Sequence, residues 1–222
     1  MNDDTWLVIP LYNEEQVIGE VVSGALTSFS NIVCVDDGSR DGSAVAAAAA
    51  GATVVSHPIN LGQGAALQTG IDFALMDPTT KYVVTFDADG QHQVEDAERM
   101  LGTLRSGTVD IVFGSRFLDP RTRPPRLKRA LLKAAVAYSK ASTGVRLTDT
   151  HNGLRALSRP VAAALDIKQN RMAHASEIIE LVGRGGFRYV EQPVHILYTD
   201  YSRSKGQSLL NSVNILVELI YR

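Results

Sequence analysis

Along the first half of the chain, short apolar runs alternate with longer stretches of helical period. Residues 6–9, 31–36, 52–56, 81–86 and 109–113 (WLVI, NIVCVD, ATVVS, KYVVTF and VDIVF) are rich in valine or isoleucine and bounded by Gly, Pro, Asp or Ser. That pattern predicts buried strands. Between them the spacing predicts helices over about 15–28, 41–50, 63–76 and 94–106, the second an alanine run closed by Gly51. Regular alternation of this kind predicts an α/β fold, a mostly parallel Rossmann-like sheet flanked by helices. In such sheets ligands bind beyond the carboxyl ends of the strands. The segments that follow the strands are PLYNEE, DDGSRDG, DADGQH and GSRF. Four polar loops meeting on one edge are more than solubility requires and predict a ligand site there. Beyond residue 115 the alternation fails, and an irregular TRPPR segment leads into a helix expected over about 126–142.

Length and composition narrow the class. A chain of 222 residues with 45% apolar and 21% charged residues is ordinary globular material, and no repeat or linker divides it. It reads as a single domain over 1–222. Cys34 is the one cysteine, which excludes an internal disulfide and any multi-cysteine metal site. The N-terminus MNDDTWLVIP has acids where an export signal has bases. No run reaches the roughly 20 apolar residues that span a bilayer. The longest apolar run, LLNSVNILVELIYR, is broken by Asn211, Ser212, Asn214 and Glu218, so residues 207–222 are expected to form an amphipathic helix.

The net charge of −2 gives no global field for nucleic acid. It is unevenly spread, however. Residues 116–133 hold seven bases and one acid, which leaves −8 on the rest. A solvated face explains such a run in the usual case. A landing place for phosphate or an anionic membrane is the sharper reading. With no interleaved aromatic beyond Phe117, nucleic acid is the poorest partner.

DADGQH carries the strongest chemistry. Residues two apart in extended backbone face one way, so Asp87 and Asp89 present two carboxylates at a strand end. With Gln91 they make a hard oxygen site suited to Mg²⁺ or Mn²⁺. A capped turn is the plain alternative. In DDGSRDG, Ser39 or Asp41 serves as a cap, but capping does not explain Asp36 beside Asp37 at a strand end. One of that pair must turn toward the edge while the other faces back. NLGQGAALQTG is a poor dinucleotide fingerprint, and its glycines suit a close backbone approach to a ligand or strand. Of the five histidines only His92, beside the acid pair, stands out.

In this order, PLYNEE, VDDGSRDGS, NLGQGAALQTG, DADGQH, GSR and THNGLRALS resemble the family 2 glycosyltransferases of GT-A fold over about residues 6–206. Within that family the sequence is most similar to the polyprenyl-phosphate branch, the dolichol-phosphate mannosyltransferase-like enzymes. The resemblance implies a nucleotide-sugar half over about 6–115 and an acceptor half over about 116–206. Pro10, Tyr12 and Glu14 would line the base and ribose pocket, and Asp37 would accept a hydrogen bond from the base. Asp87, Ala88, Asp89 and Gln91 would face the donor diphosphate, with Asp87, Asp89 and Gln91 holding the metal. Arg116 would bind the acceptor phosphate, with Arg129 a second candidate. Asp149 would face the reacting sugar, and Arg203 and Lys205 would close over phosphates.

The implied activity is inverting, metal-dependent transfer from a GDP- or UDP-linked sugar to a polyprenyl phosphate in cell-envelope glycan synthesis. The implied place is cytoplasmic and peripheral on the membrane face, with a separate membrane protein as a partner. Relatives often carry membrane helices after the basic loop, and this chain has one short apolar stretch there. The chemistry agrees: a phosphate monoester is largely dianionic at neutral pH and needs a cationic cradle, not a base. A glycosyltransferase acting on a hydroxyl acceptor is the alternative, with Asp149 as its base. A nucleotidyltransferase fits less well, because the loop after the first strand is acidic. A non-catalytic nucleotide-sugar binder fits less well still, given the intact acid pair.

Overall fold

The structure is a computed structural model that describes residues 1–119, 145–171, 173–197 and 201. Among the described residues seven strands form one sheet. In chain order the elements are β1 (Thr5–Leu11), α1 (Ile18–Ala25), β2 (Asn31–Asp36), α2 (Ser43–Ala49), β3 (Thr53–Ser56), α3 (Gln63–Met76), β4 (Tyr82–Thr85), α4 (Val94–Arg105) and β5 (Ile111–Ser115). They continue with β6 (Arg155–Ser158), α5 (Arg159–Ala164), α6 (His174–Arg184) and β7 (Tyr189–Pro193). The strand order is β3-β2-β1-β4-β6-β5-β7. Every neighbouring pair is parallel except β4 with β6 and β5 with β6, so β6 alone runs against the rest.

The inner strands are buried on both faces, which is why β1, β2, β4 and β5 read as nearly continuous apolar runs. Along β1, Leu7, Ile9 and Leu11 point to one side and Val8 to the other, the period of two that a pleated strand imposes. The first side packs under α1, α2 and α4; on α4, Ala97, Met100, Leu101 and Leu104 recur at helical spacing along the buried stripe. The second side packs under α3, α5 and α6 through Leu67, Ile71, Val161, Ile178 and Val182.

The five strands and four helices expected up to residue 115 all form, with ends shifted by a few residues. The helix expected over 126–142, the basic residues from Arg121 to Lys133, and the C-terminal helix of 207–222 lie outside the described residues. Two strands, β6 and β7, were not legible. RALS opens on an arginine, and YVEQP is an edge strand carrying Glu191 and Gln192. The reversal at β6 carries the chain from the carboxyl edge of the parallel strands back into the sheet. Residues 145–154 therefore arrive at the same edge as the loops after β1, β2, β4 and β5.

Cys34 lies inside β2 with no exposure, and burial pushes its thiol up to about 12. The thiolate is the reactive form. The native protein should therefore resist a thiol reagent at pH 8 for hours, while protein unfolded in guanidinium should label at once. Rapid labelling of the native protein would contradict the burial.

Candidate active site

The loops after β1 and β2 are bound to each other. The Asn13 N–H donates to Ser39 Oγ (2.9 Å), and the Arg40 N–H donates to Asn13 Oδ1 (2.9 Å). The Glu14 N–H donates to Ser43 Oγ (2.7 Å), and the Gly42 N–H to Glu15 Oε2 (3.0 Å). Asn13 takes φ of 53° to make this exchange, a conformation that asparagine tolerates better than most residues. Asp41 Oδ1 accepts from the Ser43 N–H and hydroxyl just before α2, but the N-cap position is Gly42, so Asp41 braces the approach to the helix and neither it nor Ser39 is the cap expected from the sequence. Much of PLYNEE and DDGSRDG is thus loop-to-loop bonding. Tyr12 stays exposed at the rim, Pro10 is buried in β1 beyond its last pair with β4, and Glu14 Oε2 accepts the Tyr201 hydroxyl (2.6 Å).

Asp37 is buried, and its oxygens have partners within the chain. Oδ1 lies 2.8 Å from His57 Nδ1 and accepts the Leu61 N–H (2.9 Å), while Oδ2 accepts the Gly62 N–H (2.7 Å). His57 Nε2 in turn lies 3.0 Å from Thr69 Oγ1 on α3. Asp37 therefore fixes the loop of residues 57–62 that leads into α3. Asp36 is buried as well and accepts the Ser39 N–H (3.1 Å), so neither acid of the pair points outward. Like charge at this strand end is offset by backbone donors rather than by exposure. The glycines that follow do make a close approach: a Cβ on Gly62 or Gly64 would strike the backbone carbonyls of Asn170 or Gln169.

The acid pair sits at the end of β4. Asp87 Oδ2 lies 2.9 Å from His92 Nε2, and Oδ1 accepts from the Gln63 amide (3.3 Å) at the start of α3. Gly153 packs against the same carboxylate, where any side chain would collide with it. Asp89 Oδ1 and Oδ2 accept the backbone N–H and the side-chain amide of Gln91 (3.0 and 2.8 Å). Gln91 therefore orients Asp89 through its amide nitrogen, the opposite end of the amide from the oxygen that a metal would take. Ala88 is buried between the two acids. His92 stacks edge-on against Phe86 (5.3 Å), which fixes the ring that holds Asp87.

Burial and the neighbouring Asp87 charge raise Asp89 to about 6. Two carboxylates at one strand end, with the Asp87 charge adding to burial in raising Asp89, form an oxygen donor set. That donor set fits a hard divalent cation, which would relieve the repulsion.

Arg116 and Asp149 form a pair. Arg116 Nε donates to Asp149 Oδ2 (2.6 Å), its backbone N–H donates to the same oxygen (3.1 Å), and Nη2 donates to the His151 carbonyl (3.1 Å). The Asp149 side chain has no exposure. In this structure it faces Arg116, because a buried carboxylate is held by a buried cation. Glu191 of β7, which the sequence did not single out, accepts the N–H groups of Thr148 (2.7 Å) and Asp149 (3.0 Å) and so anchors the turn that carries Asp149. Burial depresses His151 and His174 to about 4, which keeps both neutral near pH 7. Arg129, Arg203 and Lys205 lie outside the described residues.

A family model described as Glycosyl transferase family 2 matches residues 6–164. The chain is 36% identical over 223 residues to an uncharacterized protein of Methanocaldococcus jannaschii, covering 98% of this chain and 91% of that protein. It is 27% identical over 237 residues to a UDP-N-acetylglucosamine–dolichyl-phosphate N-acetylglucosaminyltransferase of Methanococcus voltae, covering 97% and 94%. A solved structure of glucosyl-3-phosphoglycerate synthase from Mycobacterium tuberculosis, in complex with Mn²⁺ and UDP-glucose, superposes with a TM-score of 0.75 at 19% identity. It covers 99% of this chain and 79% of that one, and at this identity the likeness carries the fold alone.

Proposed function

The chain belongs to glycosyl transferase family 2, and from that premise we propose that it moves a sugar from a nucleoside diphosphate to a polyprenyl phosphate at a membrane surface. The observation that carries the reading is the meeting of two charged half-sites on one sheet edge. The acid pair ends β4, and the Arg116–Asp149 pair joins the end of β5 to the segment before β6. Gly153, which packs on the Asp87 carboxylate, follows Asp149 by four residues. The Methanococcus relative's name pairs a UDP-sugar with dolichyl phosphate, which supports both substrate classes.

Asp87 and Asp89 would hold Mg²⁺ or Mn²⁺, which when bound supplies positive charge against the diphosphate that leaves. The chain's own residues do the rest. His92 and Gln63 fix Asp87, and Gln91 fixes Asp89. Asp149 and the His151 carbonyl fix the Arg116 guanidinium in one orientation, where it would receive the acceptor phosphate. A phosphate oxygen then attacks the anomeric carbon from the face opposite the diphosphate, the carbon–oxygen bond to the diphosphate breaks, and the configuration inverts. A dianionic phosphate has no proton to lose, so Asp149 is left to its bond with Arg116. Arg129, Arg203 and Lys205 are further phosphate contacts in this proposal, and Pro10, Tyr12, Glu14 and Asp37 form or support the base and ribose pocket. Among the described residues no helix is long and apolar enough to cross a membrane, and the proposal places the protein peripherally on the cytoplasmic face.

The test is a panel of UDP- and GDP-linked labelled sugars with Mn²⁺ or Mg²⁺, each with a short polyprenyl phosphate, with soluble sugar acceptors, or with neither. Label should enter the organic phase only with polyprenyl phosphate. The rate should rise through about pH 6 as the acceptor ionises. Transfer to a free hydroxyl acceptor with none to the lipid phosphate would replace this reading by the hydroxyl-acceptor one.

A further inference from the structure

Residues 145–149 reach the site without joining the sheet. Val145 and Leu147 are buried in the cluster that holds Phe113, while Arg146 and Thr148 are exposed. The alternation is that of a strand, yet the segment is not one of the seven. Side chains of β7 set its register instead. Tyr189 and Glu191 stand two apart on this edge strand and so face one way. Tyr189 Oη accepts the Arg146 N–H (3.0 Å). The Glu191 carboxylate takes three donors. The Thr148 N–H lies 2.7 Å from each of its oxygens, and Oε1 also accepts the Thr148 hydroxyl (3.0 Å) and the Asp149 N–H (3.0 Å). Thr148 Oγ1 lies 2.6 Å from the hydroxyl of Ser115, the residue before Arg116. The Asp149 carboxylate in turn takes the Arg116 Nε–H and N–H. Every link from Glu191 to the Arg116 guanidinium is thus a hydrogen bond or a covalent bond between neighbouring residues.

We propose that Glu191 is a positioning residue for the acceptor phosphate: it fixes the backbone at Thr148 and Asp149, so that Asp149 holds the Arg116 guanidinium in one orientation. Orientation matters because a guanidinium meets phosphate through a planar fork of donors, not as a point charge. Glu191 acts from behind Asp149, through the main chain, and its own oxygens are taken up by Thr148 and Asp149. The inference rests on the glycosyl-transfer reading for its activity arm, but not for its spectroscopic arm.

A carboxylate that only tied down the edge of the sheet would cost stability when removed and leave Arg116 as it was. A positioning carboxylate costs rate, and does so through Arg116. Glu191→Ala is expected to lower transfer to polyprenyl phosphate about 10- to 100-fold, since misplacing a group at a reacting centre by about 1 Å costs up to roughly 100-fold. Glu191→Gln keeps an acceptor oxygen for the two N–H groups and is expected to stay within about threefold of wild type. In the Arg116→Ala background Glu191→Ala should cost less than about twofold more, because the guanidinium that it positions is gone.

The deciding measurement needs no substrate. It is the Arg116 Nε–H resonance of isotope-labelled protein, identified by its loss in Arg116→Ala. In the wild type and in Glu191→Gln it should be sharp and slow to exchange with solvent, because the bond to Asp149 is short and buried. In Glu191→Ala it should broaden or exchange at least about tenfold faster. That loss of protection, together with rates that fail to multiply in the Arg116→Ala background, supports the proposal. An unchanged Arg116 resonance in Glu191→Ala overturns it, as does a Glu191→Ala penalty of equal size with and without Arg116. If Glu191→Ala does not fold, Glu191→Asp, which keeps the charge and shortens the reach by one methylene, takes its place with the same outcomes. Absence of transfer by wild type with every donor and acceptor, with the Arg116 protection lost in Glu191→Ala, would count against the transfer reading alone.

Discussion

Asp89→Asn should abolish sugar transfer, by about 1,000-fold or more, and excess EDTA should do the same to the wild type. The estimate follows from charge. Breaking the bond to a sugar diphosphate concentrates negative charge on the leaving group, and a divalent cation offsets several kcal/mol of its cost, about 1,000-fold at roughly 1.4 kcal/mol per factor of ten. Asn keeps the shape and one of the two acceptor oxygens that Gln91 uses but lacks the charge that would hold the cation. The structure adds a second expectation with the opposite sign. Asp89 is raised to about 6 because it is buried beside Asp87. Neutralising it removes repulsion, so metal-free Asp89→Asn should melt no lower than metal-free wild type. Loss of activity with stability kept, read by circular dichroism beside the transfer assay, separates a functional carboxylate from a structural one. Full turnover of the wild type in excess EDTA would remove the cation from the reaction.

The same acid pair shows what a single sequence discloses. That Asp87 and Asp89 stand together at a strand end was legible from their spacing, and β1, β2, β4 and β5 were legible because strands buried on both faces write themselves as apolar runs. The partners of these acids were not legible. Gln63 reaches Asp87 from 24 residues upstream, and Gly153 meets it from 66 downstream. Such contacts are made by the topology, which local pattern does not encode. Arg155 and Glu191 are charged residues in strands, a place where pattern reading expects apolar ones, and both strands were missed for that reason. Asp37 shows the converse. Its position drew a ligand role from the resemblance, yet its carboxylate carries the loop of residues 57–62.

Arg116→Ala should reduce transfer by about 100- to 1,000-fold while slow hydrolysis of the donor continues nearly unchanged. A charge-assisted phosphate contact is worth about 1.5–3 kcal/mol, or roughly 10- to 150-fold. The structure adds a second loss. Without the Arg116 side chain the Asp149 carboxylate, with no exposure, loses its cationic donor at 2.6 Å and keeps only the backbone N–H groups of residue 116 and His151. Asp149→Asn should be milder, about tenfold, because an amide oxygen still accepts from Arg116 Nε and the phosphate needs no base. The two changes should not add. In the Arg116→Ala background Asp149→Asn should recover stability, since it removes the stranded charge, and it should cost little further activity. A hydroxyl acceptor reverses the order. Asp149 would then be the base, its loss typically costing 10²–10⁴-fold, and Arg116→Ala would keep most of the rate. The pH profile decides between the two. With a phosphate acceptor the rise through about pH 6 belongs to the substrate and persists in Asp149→Asn. If that rise vanishes in Asp149→Asn while Arg116→Ala stays active, Asp149 is acting as a base and the acceptor is a hydroxyl.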